Sequence, residues 1–151
     1  DQLRARWLKT FAAKIGIATQ QDADGALIAD LLDMMEQSGS DFTNTFHALS
    51  TGSAREEITD HAAYQTWHDR WQERIKDDLE RDALMATSNP VIIPRNHRIE
   101  QMIEAAVEGD FAPFHRLNAA LQTPFTDSQD IADLKRPPSQ QEIVPATFCG
   151  T

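Results

Sequence analysis

Two prolines four residues apart, Pro90 and Pro94, divide this chain, and the apolar residues on both sides of them recur at helical spacing. A residue that precedes proline is driven out of the α region by the proline ring. Asn89-Pro90 and Ile93-Pro94 therefore demand a short extended segment. The helical pattern then restarts. Arg95 or Asn96 opens a helix with Ile99, Met102, Ile103 and Ala106 on one face, and Gly109 suits a left-handed stop. Asp110 caps a further helix through Phe114, Leu117 and Leu121, which Pro124 ends. The grammar from Met85 to Leu121 is thus helix, extended clamp, helix, glycine, helix.

Upstream of the clamp the same period holds. Leu3, Trp7, Leu8, Phe11, Ala12 and Ile15 share a helical face that Gly16 closes. Asp22 or Asp24 can cap a second helix with the stripe Leu27, Ile28, Leu31, Leu32 and Met35, broken by Ser38-Gly39-Ser40. Asp41 or Thr43 begins a shorter helix through Phe46 and Leu49. Ser53 and Glu56 then fit a capping box. Trp67, Trp71, Ile75 and Leu79 recur every four residues opposite a charged face, which predicts one long helix over about Tyr64 to Met85. No alternating pattern argues for strands. The expectation is an all-α domain of about six or seven helices over residues 1–125, followed by a polar, proline-bearing extended tail over 126–151.

A chain of 151 residues can bury a core, and its 40% hydrophobic and 25% charged content is that of a globular chain. It starts at Asp1 with helical pattern already under way, which suggests a fragment of a longer protein. Fourteen basic against 24 acidic residues leave a net charge of −10, without the clustered Lys and Arg that phosphate backbones or anionic membranes require. Nucleic acid and membrane are therefore not expected partners, and no run reaches the ~20 apolar residues that span a bilayer. The single cysteine, Cys149, excludes an internal disulfide and points to a reducing compartment.

Several ordered blocks resemble one family, selenoprotein O (SelO, also called YdiU). Asp41-Phe42-Thr43-Asn44-Thr45-Phe46 is similar to the family's D-F-T-N-T-F block. Asn89-Pro90, Arg95-Asn96, Gly109-Asp110 and Pro124-Phe125 resemble its later blocks in order and spacing, and Thr147-Phe148-Cys149-Gly150-Thr151 resembles its terminus. His47, His97 and the Cys-Gly-Thr ending depart from the commonest forms. The resemblance covers the C-terminal region of that family. It implies a bacterial, cytoplasmic parent with a kinase-like (pseudokinase) fold that transfers AMP from ATP to protein hydroxyls, using a divalent metal, magnesium or manganese. The family's nucleotide-binding lysine, metal-binding acids and catalytic aspartate have no matching positions here. The resemblance therefore implies a helical segment packed on the upstream kinase-like lobe, with no catalytic, cofactor or metal residue of its own. The alternative is a stand-alone helical module that binds another protein.

The candidate residues are few. In the family the tail cysteine is a redox latch to an upstream cysteine, which makes Cys149 the redox candidate; an inert terminal thiol is the plainer reading, since no nearby base lowers its pKa. Arg95, Asn96 and His97 stand at a helix start that can present N–H groups and a guanidinium to an anion or acidic partner. The structural alternative is that Asn96 caps the helix and Arg95 forms an internal pair. His61 and His68 lie two turns apart, and His97 with Glu100 lacks a third ligand, so a zinc site is not expected. The Trp67/Trp71 stripe reads as core.

Overall fold

The computed structural model describes residues 2–145. Among them are eight α-helices and no strand. The chain divides into two compact units between Pro90 and Val91, inside the proline clamp. The division drawn from the sequence, at residue 125, follows the change to polar composition instead.

The first unit holds α1 (Gln2–Lys14), α2 (Asp24–Ser38), α3 (Phe42–Thr51), α4 (His61–Ile75) and α5 (Arg81–Ser88), with a 3-10 turn at Ala54–Glu57. Its core gathers Ala12, Ile15, Ile28, Leu31, Phe46, Ile58 and Ile75 around Trp67 and Trp71. The two indoles stack with centroids 5.4 Å apart and planes 16° off parallel. Burial satisfies rather than strands their polar edges. Trp67 Nε1–H donates to the Leu27 carbonyl at 2.8 Å, and Trp71 Nε1–H donates to the Ile15 carbonyl at 2.8 Å. One face of α4 is thereby fastened to α2 and to the end of α1.

Gly16 ends α1 with φ of 77°, where a Cβ would lie 3.0 Å from Met85 Sδ and 3.1 Å from Arg81 Cβ. Glycine is thus required twice over, for its left-handed backbone and for the close approach of α5. Asn89, 2% exposed, closes the same corner. Its Nδ2 donates to the Lys14 carbonyl (2.8 Å) and to Ser50 Oγ (3.0 Å), so the asparagine that precedes Pro90 also ties α1 and α3 to the end of α5.

Three local expectations change. The long helix over Tyr64 to Met85 is two helices, because Asp78 leaves the helical path. One of its carboxylate oxygens accepts from Ala18 N–H (2.9 Å) and the other from Glu80 N–H (3.3 Å). Leu79, expected on the core stripe, is left 98% exposed in that turn. Asp24 does not cap its helix. It lies inside the first turn, 1% exposed, and takes Arg74 Nε (2.7 Å) and Nη2 (3.0 Å) together with Gln21 N–H (2.7 Å). The Ser53/Glu56 box does not form, and Ser53 makes no side-chain cap. Asp41 does cap α3, accepting from Asn44 N–H at 2.9 Å.

The second unit contains α6 (Asn96–Val107), α7 (Ala112–Leu121) and α8 (Ala132–Lys135), with 3-10 turns at Gln129–Ile131 and Gln140–Glu142. Gly109, with φ of 88°, turns the chain between α6 and α7, and Asp110 accepts from Ala112 N–H at 2.9 Å. The clamp is held by one acceptor, since the Val91 and Ile92 N–H groups both donate to the Pro124 carbonyl (2.7 and 3.3 Å). Ile92, Leu117, Ala120 and Leu134 form a small core. The stretch after Pro124 is therefore not extended throughout. Leu134 anchors it, and Arg116 Nη1 reaches Asp133 at 2.8 Å, a guanidinium contact that holds the Asp133 carboxyl down to about 2.

The buried and exposed ion pairs of α4 give a direct test of this packing. Arg74→Ala leaves the Asp24 carboxylate buried without its guanidinium, and urea unfolding should show a loss of about 3 kcal/mol. Arg70→Ala removes a pair to Asp30 at 2.7 Å in which both side chains are about half exposed, and should cost less than ~1 kcal/mol. Equal losses for the two would contradict the assigned role of Asp24.

Candidate functional site

The start of α6 brings the sequence-derived candidates together, in a different arrangement from the one expected. Pro94 leaves the chain extended, and Arg95, with φ of −69° and ψ of 135°, occupies the N-cap position without a side-chain cap bond. Asn96 is the first helical residue and is exposed, so it is not the cap. Arg95 and His97 turn inward, at 7% and 3% exposure. Two surface clefts adjoin this point. One of about 310 Å³ is lined by Ile93 to His97 with Pro138 and Glu142 to Val144. The other, about 560 Å³, runs along His97, Glu100, Gln101 and Glu104 against Gln141 to Pro145.

The charged groups around Glu142 pair with one another, while Arg98 Nε is buried without a hydrogen-bond partner among the described residues. Burial lowers the His97 pKa first, and the Arg98, Arg136 and Arg95 charges push it the same way against the opposing pull of Glu142. The ring is neutral at pH 7 as a result. Its Nε2 is buried and finds no hydrogen-bond partner among the described residues. Glu142 is equally committed. Arg136 donates to both its oxygens (2.8 and 2.6 Å), and Ser139 N–H (2.8 Å) and Gln101 Nε2 (3.2 Å) add to them. The Arg136 guanidinium holds that carboxyl well below the usual carboxylate range. The arrangement ties α6 to the stretch after Pro124.

The remaining candidates divide in the same way. Trp67 and Trp71 are core. His68 sits between Tyr64 and Trp71, with ring centroids 5.5 and 5.4 Å away, and packs as an aromatic. Among the described residues no three His, Cys, Asp or Glu side chains come together as a metal ligand set. Gly16, Gly39, Gly52 and Gly109, the glycines with positive φ, are each isolated at the end of a helix rather than gathered in a phosphate-cradling loop. No helix among the described residues is long and apolar enough to cross a membrane. Cys149 lies outside the described residues.

Sequence reasoning missed Asn89, Arg74 and the exposed face of α1. The first two act through partners about 40 to 75 positions away, which no local pattern displays. On α1, Leu3 (83% exposed) and Trp7 (38%) belong to the apolar stripe but are not enclosed by the core of the first unit.

Comparison with known proteins agrees with the ordered blocks. The family model described as protein adenylyltransferase SelO matches residues 1–122. The protein nucleotidyltransferase YdiU of Ruegeria pomeroyi is 52% identical over 151 residues, covering 100% of this chain and 32% of that protein. The protein of the same name from Roseobacter denitrificans is 47% identical over 150 residues, covering 99% and 32%. That from Agrobacterium fabrum is 45% identical over 157 residues, again covering 32% of its length. The chain spans about a third of the length of the curated relatives it matches, and on the strength of the family match over residues 1–122 it belongs to the SelO family.

Proposed function

We propose that this chain is the helical C-terminal part of a SelO-type protein adenylyltransferase, and that it supports AMP transfer without performing it. The observation that carries this reading is the family match over residues 1–122 in a chain that spans only 32% of the length of its YdiU relatives. Its invested chemistry is structural: stacked indoles bonded to two carbonyls, a buried Asp24–Arg74 pair, and a charge network around Glu142 that is internally satisfied. In this reading ATP and magnesium or manganese are bound by the rest of the polypeptide, protein hydroxyls are its substrates, and that kinase-like lobe is this segment's partner. A cytoplasmic setting accords with the single cysteine.

Cys149 gives the segment a regulatory role in the same reading. A thiolate close to a chain end can attack or form a disulfide with a cysteine elsewhere in the polypeptide, provided it is accessible. Two electrons then leave the thiol pair for an oxidant such as a low-molecular-weight disulfide, which is reduced to its two thiols. The latch would restrain the catalytic lobe.

Both parts are testable on the full-length polypeptide. Incubated with labelled ATP and magnesium or manganese, it should transfer label to protein hydroxyls, whereas the 151-residue chain alone should stay at background. Label transfer by the short chain would remove the division of labour proposed here. For the latch, Cys149→Ser should abolish the sensitivity of AMP transfer to oxidant. Undiminished sensitivity in that variant would assign the redox response to other cysteines.

A further inference from the structure

The first unit carries an apolar face that its own core does not use. On α1, Leu3 and Trp7 lie one turn apart and continue to the half-buried Phe11. Trp7 and Phe11 are in ring contact at 5.1 Å, Phe11 meets Phe42 edge-on at 6.1 Å, and Phe42 meets the buried Phe46 at 4.8 Å. The row therefore runs without a break from the core to the surface. Leu3, Trp7 and Phe42 are 83%, 38% and 45% exposed. Scattered apolar side chains on a surface need no explanation, but a continuous aromatic row that ends in an exposed leucine does.

The charge of this face is also unlike the rest of the chain. Helix α1 carries Arg4, Arg6, Lys9 and Lys14 and no acidic residue. It therefore holds four of the 14 basic residues and none of the 24 acidic ones, in a chain of net charge −10. Lys14 is engaged within the unit, donating to the Ser88 carbonyl at 2.9 Å and lying over the Phe42 and Phe46 rings. Arg4, Arg6 and Lys9 make no ion pair among the described residues. At 100° per residue Arg4 and Arg6 fall on either side of the Leu3–Trp7–Phe11 row, whereas Lys9 falls on the opposite side of the helix, so the face is apolar along its centre and flanked by two guanidinium groups.

Three exposed side chains decide between possible occupants. A stable interface between free proteins buries about 800 Å² on each partner, and this row alone supplies far less. A second copy of the chain or an independent protein would bind it weakly. A segment of the same polypeptide needs no such area, because a tether raises the effective concentration to about the millimolar range. The curated relatives have about two-thirds of their length outside the match, which leaves ample chain for the purpose.

We propose that the Leu3–Trp7–Phe42 face is the seat of another part of the same SelO polypeptide, one that offers an apolar groove with an acidic rim. This rests on the reading of the chain as part of a longer adenylyltransferase, and it specifies which surface the rest of that protein covers. The acidic rim follows from Arg4 and Arg6, since like charges opposite them would repel and unpaired guanidinium groups would be poorly solvated at a closed interface.

Leu3→p-benzoylphenylalanine in the full-length polypeptide tests the proposal, because a side chain 83% exposed in this unit can be replaced without disturbing its packing. Irradiation should produce an intramolecular crosslink to residues outside this 151-residue chain. Crosslinks between two copies, crosslinks confined to the 151 residues, or none at all would overturn the proposal. Hydroxyl-radical footprinting of the unsubstituted polypeptide gives an independent readout. Trp7 should be oxidised as slowly as the buried Trp67 and Trp71, and oxidation at the rate of an exposed tryptophan would also overturn it. AMP transfer measured on the same unsubstituted protein separates the two readings. Absent transfer counts against the proposed activity, whereas the crosslink and the footprint report only on the docking face.

Discussion

Two indole N–H bonds hold the first unit to a single arrangement. The last carbonyls of a helix have no partner within the helix, and at Ile15, just past α1, Trp71 supplies one from α4. Trp67, one turn earlier on α4, donates to the Leu27 carbonyl near the start of α2. Because the rings stack, neither indole can rotate without moving the other. Their apolar area provides most of the driving force for burial, while the N–H groups fix the register of α4 against its neighbours. Arg74 extends the same line along α4. Its bidentate hold on Asp24 and its bond to the Thr19 carbonyl at 2.7 Å fix the loop between α1 and α2.

The second unit is organised differently. Its buried apolar core is small, and polar groups of fixed geometry supplement it: Pro124 accepting from Val91 and Ile92, Arg116 on Asp133, and Arg136 on Glu142. Such exposed pairs contribute little each to stability. Their value is in directing the stretch after Pro124 across α6 and α7. The start of α6, which has the look of an anion site in one dimension, is in space a buried imidazole beside the Arg136–Glu142 pair.

Much of the fold was legible in the sequence, for local reasons. Gly16 and Gly109 were readable as stops because only glycine adopts a left-handed backbone without penalty, and Asp41 as a cap because its acceptor serves a residue three positions on. What escaped was set by distant partners. Asp78 breaks the expected long helix by binding an amide 60 residues away, and Asp24 looks like a cap until Arg74, 50 residues on, is placed beside it. Leu3 and Trp7 share the apolar stripe of α1 with the buried Ala12 and Ile15, and periodicity reports that a helix has an apolar face but says nothing of what covers it. At the candidate site, sequence identified Arg95 and His97 as notable but could not show that both turn inward. Family blocks carried more functional information than any side-chain constellation, because the described residues are occupied in holding helices together.

The central claim is that this segment of a SelO-family protein is scaffold and that nucleotide chemistry belongs to the rest of the polypeptide. Calorimetric titration with ATP in the presence of magnesium or manganese tests it most directly, using the 151-residue chain, verified as helical by circular dichroism, beside the full-length polypeptide. The account predicts saturable binding to the full-length polypeptide and no saturable heat from the 151-residue chain. Stoichiometric, metal-dependent ATP binding by the short chain alone would contradict it.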